Sequence, residues 1–114
     1  MQPQHPHAQL ERQLRAFLGP LDEGALGVLR EHLTWVELPA GQPLMTQGEP
    51  GDAMYLTLSG RLRAYQRDDE GVERRVREMA RGQVIGEMSL YTDEPRSATV
   101  VAIRDSLLVR LAKA

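Results

Sequence analysis

The stretch Val84-Ile85-Gly86-Glu87-Met88-Ser89-Leu90, followed after a short loop by Pro95-Arg96-Ser97-Ala98-Thr99-Val100, decides how this chain is interpreted. Gly86 has no side chain, so the backbone N–H groups beside it can come close to an anion. Arg96 offers a guanidinium fork that matches two phosphate oxygens. Glu87 would repel such an anion unless its carboxylate faced a neutral donor, for example a sugar hydroxyl. The pattern therefore predicts a ligand that combines a phosphate with a ribose.

Three further blocks precede this stretch in the chain, and they carry a resemblance when taken with it. They are Leu38-Pro39-Ala40-Gly41, Gln47-Gly48-Glu49-Pro50-Gly51-Asp52-Ala53-Met54-Tyr55 and Leu58-Ser59-Gly60-Arg61-Leu62. Residues 84–100 resemble the phosphate-binding cassette of cyclic nucleotide-binding domains, and we call them the cassette. Such domains occur in catabolite-activator-type transcription factors, kinase regulatory subunits, gated ion channels and patatin-like phospholipases. The resemblance extends from about Leu14 to Leu111, and several blocks in the right order make it specific.

The resemblance implies a ligand, cAMP or cGMP, and a role for each site residue. Glu87 would accept a hydrogen bond from the ribose 2′-hydroxyl, which a cyclic phosphate leaves free. Arg96 would bind the phosphate, and the backbone N–H of Ser89 would contact the same group. Ser97 could donate its hydroxyl to the phosphate or to the base, so it leaves the choice of base open. The predicted ligand-binding residues are Gly86, Glu87, Met88, Ser89, Arg96 and Ser97, with no metal and no catalytic residue.

Simpler interpretations compete with this site. Gly86 could merely end a strand, and Arg96 could form an exposed ion pair with Asp93 or Glu94, which would contribute about 0–1 kcal/mol. Several apolar residues could line the pocket, although core packing is the better interpretation for most of them. These residues are Val72, Val76, Ile85, Met88 and Leu90.

Apolar periodicity predicts a mainly β fold with flanking helices. Helical spacing indicates two N-terminal helices, near 10–18 and 22–33, and from Thr34 short apolar segments alternate with glycine turns. We expect an eight-stranded β-roll or jelly roll, with a short helix at Glu87–Leu90 in the cassette. The strands are expected near 34–38, 43–46, 53–59, 61–67, 72–79, 83–85, 97–103 and 106–111.

Composition limits the classes of function. The 114 residues fit one domain, the net charge of −2 indicates no nucleic-acid surface, and there is no cysteine for disulfides or thiolate chemistry. No apolar run approaches the roughly 18 residues of a membrane span. We therefore expect a cytoplasmic protein. Residues 1–8 are predicted to be a flexible tail and residues 9–114 a cyclic nucleotide-binding domain without the lid helices that follow the roll in the family.

The predicted function is a regulatory sensor module rather than an enzyme. Outside the tail His32 is the only histidine, and no G-x-S-x-G elbow occurs. The expected partners are a cyclic mononucleotide and an effector domain beyond residue 114. Two alternatives remain open at this point. The chain could be a structural or interaction domain that keeps the roll but binds no nucleotide, or it could be the regulatory head of a patatin-like phospholipase or transcription factor.

Overall fold

The computed structural model describes residues 31–112, together with Arg12, Arg15 and Gly24. The side chains of Ser89 and Leu90 are not among the described groups. The predicted tail at 1–8 and most of the two predicted N-terminal helices lie outside the described residues. The described residues of these helices are helical, namely Arg12, Arg15, Gly24, Glu31 and His32.

Eight strands form two four-stranded antiparallel sheets, which confirms the predicted jelly roll. The first sheet has the order β1-β8-β3-β6 and the second the order β2-β7-β4-β5. A 3₁₀ turn, Glu87–Leu90, follows β6 where the short cassette helix was expected. The strands are β1 (Leu33–Leu38), β2 (Pro43–Met45), β3 (Ala53–Ser59), β4 (Arg61–Arg67), β5 (Glu73–Ala80), β6 (Val84–Ile85), β7 (Thr99–Ala102) and β8 (Ser106–Ala112).

The core lies between the sheets because alternate residues of each strand point inward. In β4 the side chains of Leu62 and Ala64 are buried, whereas the arginines on either side of Leu62 are partly exposed. The strand β3 is buried on both faces and contributes to two clusters. Its residues Ala53 and Tyr55 join the main core, while Leu56 and Leu58 pack with Val109 on the other face.

Sequence and structure differ at some strand ends. The strand predicted at 97–103 is shorter, covering Thr99–Ala102, because the preceding residues belong to the loop that carries Arg96. The predicted hairpin turn at 68–71 is present, and Oδ1 of Asp68 closes it by accepting hydrogen bonds from the backbone N–H groups of Glu70 and Val72, both at 2.9 Å.

The loop between β2 and β3 is hydrogen-bonded to the part of the cassette that carries Arg96. The backbone N–H of Arg96 donates to the carbonyl of Glu49 at 2.7 Å, and the N–H of Gly48 donates to the carbonyl of Arg96 at 2.9 Å. A β-bridge between Pro50 and Pro95 extends this connection. The loop between β2 and β3 therefore fixes the backbone of Arg96 independently of its side chain.

Candidate ligand-binding site

Gly86 has the left-handed conformation that begins the cassette turn. Its φ of 76° and ψ of 23° are values that residues with a side chain rarely adopt. A Cβ atom at this position would collide with Nη1 of Arg96 and lie 3.3 Å from the carbonyl oxygen of Ala53. The chain therefore needs glycine here for two reasons, its backbone conformation and the close approach of the arginine.

The side chain of Arg96 extends inward to Gly86, not outward to solvent. Its side chain is 5% exposed. Nη2 donates to the carbonyl oxygen of Ala53 at 2.7 Å, and Nη1 lies 3.5 Å from the carbonyl oxygen of Gly86. This burial differs from the exposed surface position that the simpler interpretation of Arg96 assumed.

The carboxylate of Asp52, in the loop before β3, lies near the guanidinium of Arg96. Oδ1 of Asp52 is 3.6 Å from Nη2 of Arg96, and Oδ2 of the same carboxylate is 3.2 Å from Nη2 of Arg110 on β8. We call Arg96, Asp52 and Arg110 the inner cluster. Asp52 belongs to one of the blocks that carry the family resemblance but was not among the predicted site residues, and Arg110 looks like an ordinary surface charge when taken alone.

A cavity of about 310 Å³ opens between the cassette and the second sheet. The structure brings Gly86, Glu87, Met88, Arg96 and Ser97 to its wall. Glu87 and Ser97 are exposed, so their polar groups are accessible from solvent. Ser89, the remaining predicted site residue, belongs to the cassette turn, and its side chain is outside the described groups. The volume falls in the range of small-molecule sites.

The same cavity has wall residues that sequence reasoning missed. Arg77 of β5 and Gln66 of β4 line it from the second sheet, and Glu94 lines it from the loop before Arg96. A β-bulge separates Arg77 from its neighbour Arg75. The β4–β5 register shifts between Ala64 and Tyr65 and skips Val76, so Arg77 shares the inward face of Met79 while Arg75 lies on the outward face.

Core packing was favoured for most of five apolar residues, and this prediction was wrong for Val72 and Val76. Met88, which was also predicted to bind the ligand, is exposed as well. Val72, Val76 and Met88 are 49%, 48% and 61% exposed. Val76 and Met88 line the cavity, and Val72 lines an adjoining depression. Ile85, by contrast, is buried in the main core and also reaches the cavity wall. The cavity therefore offers an apolar surface that remains in contact with solvent.

A second group of arginines lies on the outward face of the β4–β5 hairpin. Glu78 accepts hydrogen bonds from Nη1 of Arg61 at 2.8 Å and from Nε of Arg63 at 2.9 Å, and Arg75 lies 3.8 Å away. The hydrogen bond from Arg63, followed by that from Arg61, lowers the pKa of the Glu78 carboxyl. We call these four residues the outer cluster. Its one carboxylate is shared by three arginines at the surface of the hairpin.

Within the described residues, no three histidine, cysteine or acidic side chains are grouped closely enough to hold a metal ion. In the same part of the chain, no helix combines the length and the apolar character needed to cross a bilayer.

Comparison with known proteins identifies the family. Residues 35–114 match the family described as "Cyclic nucleotide-binding domain", and the chain belongs to it. It is 42% identical over 79 residues to patatin-like phospholipase domain-containing protein 7 of Rattus norvegicus, a match that covers 69% of this chain and 6% of the relative. It is 39% identical over 85 residues to the cAMP-dependent protein kinase regulatory subunit of Aspergillus fumigatus, covering 75% of this chain and 20% of the relative.

Solved structures agree with this assignment. The regulatory domain of Toxoplasma gondii PKA in a co-crystal with cAMP superposes with a TM-score of 0.86 at 30% identity, covering 98% of this chain and 43% of that one. The catabolite activator protein of Thermus thermophilus superposes with a TM-score of 0.73 at 32% identity, covering 82% and 44%. The chain thus spans only a small part of its curated relatives and less than half of these two solved chains.

Proposed function

We propose that this domain binds a cyclic purine mononucleotide in the 310 Å³ cavity and acts as the sensor of a larger regulatory protein. The observation that carries the proposal is the meeting of Arg96 with Gly86. A buried guanidinium lies against a left-handed glycine at the start of a turn, at the edge of a cavity of ligand size. Membership of the cyclic nucleotide-binding family supports the choice of ligand.

The phosphate would lie where the cassette turn and Arg96 meet. Backbone N–H groups at the start of such a turn and a planar guanidinium are suitable donors for a phosphodiester. The contact between Nη1 of Arg96 and the carbonyl of Gly86 is long, at 3.5 Å, and is therefore weak. A phosphate oxygen could replace that contact at small cost, while the 2.7 Å bond to Ala53 holds the other end of the guanidinium in place.

The ribose would lie beside Glu87. This carboxylate is exposed at the cavity wall and is adjacent in sequence to Gly86. It can accept a hydrogen bond from the 2′-hydroxyl, which remains free when the phosphate joins the 3′ and 5′ oxygens. A deoxyribose ligand would leave this acceptor without that partner, so the domain should prefer ribose.

The base would lie against the second sheet, where Arg77 favours guanine. Val76 supplies an apolar surface and Arg77 a cation at the same wall. Arginine donates two hydrogen bonds to O6 and N7 of guanine, whereas adenine presents an amino donor in place of O6. A good pair of this kind discriminates between bases by about 1–3 kcal/mol. The preferred ligand in this proposal is therefore cGMP.

Titration calorimetry of the wild-type chain with cGMP, cAMP and 5′-GMP tests the proposal. We expect cGMP to bind most tightly, and 5′-GMP to bind poorly because its phosphate is not held in a ring. Arg77→Gln should reduce the preference for cGMP over cAMP by roughly tenfold. The matched control is Arg75→Gln, the same change on the outward face. Absence of heat with either cyclic nucleotide, together with an unchanged melting temperature, would contradict nucleotide binding.

The larger protein is part of the same proposal. The relatives include a patatin-like phospholipase domain-containing protein and a kinase regulatory subunit, each much longer than this chain. We propose that occupancy of the cavity shifts the cassette between two positions and that an effector domain responds to that shift. In this proposal the domain itself has no catalytic role. A cytoplasmic location stays a prediction.

Thermal stability with and without ligand distinguishes the proposed sensor from a roll that binds no nucleotide. Ligand at about 100 times its Kd should stabilise the folded domain by roughly 2.7 kcal/mol. A thermal scan without and with saturating cGMP or cAMP would reveal such a shift. Gly86, Glu87 and Arg96 converge on one cavity, which supports a functional site over a degenerate one.

A further inference from the structure

We infer that Arg110 is a positioning residue for the phosphate-binding Arg96, and that it acts through the carboxylate of Asp52. Arg110 would neutralise Asp52, so that this carboxylate holds Arg96 in place without competing with the ligand for it. The inference rests on the proposed function, because it assumes that Arg96 receives an anion.

The three side chains of the inner cluster share one carboxylate. Oδ2 of Asp52 accepts a hydrogen bond from Nη2 of Arg110 at 3.2 Å, whereas Oδ1 lies 3.6 Å from Nη2 of Arg96. The carboxylate of Asp52 is therefore closer to Arg110, which does not line the cavity, than to Arg96, which does. The Asp52 side chain is 69% exposed, but that of Arg96 is only 5% exposed.

The position of Arg110 follows from the strand that carries it. Arg110 is two residues after Leu108 on β8, so both side chains project from the same face of the sheet. Leu108 is fully buried in the main core, and Arg110 is 30% exposed at the edge of that face. Antiparallel pairing of Arg110 with Tyr55 on β3 fixes the backbone close to Asp52. Arg110 therefore contacts one carboxylate oxygen of Asp52, and Arg96 lies near the other.

The charges explain what the arrangement achieves. Two guanidinium groups and one carboxylate give the inner cluster a net charge of +1, which is opposite to the charge of −1 on one phosphodiester. Without Arg110 the pair of Arg96 and Asp52 would already be neutral before any ligand arrived. The carboxylate would then attract Arg96 more strongly and would repel the phosphate. Loss of Arg110 should therefore weaken anion binding although Arg110 itself does not line the cavity.

A double-mutant cycle with cGMP calorimetry tests this inference. Arg110→Gln should weaken cGMP binding roughly threefold to tenfold, and the loss should shrink at high salt because exposed charges are screened. In the Asp52→Asn background the same change should alter affinity by less than about twofold, because its target is absent. Arg110→Lys should retain most of the wild-type affinity. The control Arg104→Gln removes the same charge from an exposed turn and should leave affinity unchanged.

The outcomes separate this inference from the proposed function. If the wild type binds cGMP and Arg110→Gln binds it equally well, the positioning role is wrong and the proposed function stands. If Arg110→Gln weakens binding by the same factor with and without Asp52, Arg110 acts by another route, and the inference is again wrong. If the wild type binds neither cGMP nor cAMP, both proposals fail. Melting temperatures of the unliganded variants identify any loss that arises from unfolding.

Discussion

The inner and outer clusters both combine arginines with one carboxylate, but they differ in the burial of the arginines and in the distances to the carboxylate. In the outer cluster the arginines are partly exposed and Glu78 is hydrogen-bonded at 2.8 and 2.9 Å. In the inner cluster Arg96 is buried, yet its carboxylate partner is 3.6 Å away and its shortest described bond goes to a backbone carbonyl. The outer arginines therefore share one carboxylate at the surface, whereas the guanidinium of Arg96 is oriented in the interior by a backbone carbonyl.

In the proposed function, this difference is what suits Arg96 rather than the outer arginines to a phosphate. Burial alone would make an unpaired guanidinium costly, and a tight carboxylate partner would leave it unable to bind phosphate. Backbone carbonyls supply an intermediate solution, because they orient the guanidinium without neutralising its charge.

Substitution of Arg96 should have the largest effect. Arg96→Ala removes a buried charged donor, and we expect cGMP affinity to fall at least about 100-fold, roughly 3 kcal/mol. Because the same side chain bonds to Ala53, the alanine variant could also lose stability. Arg96→Lys is therefore the informative partner, since it keeps the charge and loses the planar fork. Calorimetry on both variants, with circular dichroism as a check of folding, measures this, and wild-type affinity in the lysine variant would contradict a two-oxygen contact.

Gly86→Ala should bring about the next largest change. The new Cβ would need a left-handed conformation that costs about 1–2 kcal/mol, and it would displace the guanidinium of Arg96. We expect a lower melting temperature together with a loss of cGMP affinity greater than that of an equally destabilised variant. Gly41→Ala is the matched control, since Gly41 also has a positive φ but has nothing near its added Cβ. Equal affinity in the two alanine variants would show that the turn does not need a close approach.

Glu87→Gln should have a smaller and more selective effect. The amide still accepts a hydrogen bond from the 2′-hydroxyl but lacks the charge that strengthens it, so we expect roughly a tenfold loss for cGMP. The same variant should lose little affinity for 2′-deoxy-cGMP, which has no hydroxyl at that position. Calorimetry with both ligands on both proteins gives the comparison. An equal loss for the two ligands would mean that Glu87 does not contact the ribose.

Glu78→Gln should have the smallest effect at neutral pH. The outer cluster lies on the face of the β4–β5 hairpin that points away from the cavity, so cGMP affinity should change by less than about twofold. The Glu78 pKa is lowered in the folded state, so its ionised form stabilises the fold above about pH 4.3, and this contribution is lost as the pH falls through the folded pKa. Melting temperatures of wild type and variant should therefore differ at pH 7 and converge in acid. A difference that grows in acid would reverse the predicted sign.

Much of the fold could be predicted because local patterns encode it. Alternation along β4 separated Leu62 and Ala64 from the outward arginines, and glycine turns marked most strand ends. The prediction was wrong for Val72, which lies just before β5, and for Val76 within β5, because both β-branched side chains are half exposed. The alternation of apolar and polar residues identifies a strand, but it does not show which of its side chains another element buries.

The β-bulge in the β4–β5 pair shows why part of the site could not be predicted. Regular alternation would put Arg75 and Arg77 on the same face. The register shift at Tyr65 inserts an extra residue, so Arg75 lies with the outer cluster while Arg77 lines the cavity. A bulge depends on how two strands pair, and the sequence of either strand alone does not specify it.

The sequence by itself determined the cassette, because a glycine, an acid and an arginine at fixed spacing along one short segment suit the chemistry of a phosphate and a sugar. Tertiary structure alone decided what surrounds that segment. Asp52 and Arg110 are 58 residues apart and meet only because β3 and β8 pair in one register. Contacts within a turn follow from neighbouring residues, whereas contacts between strands follow from the cooperative packing of the whole domain.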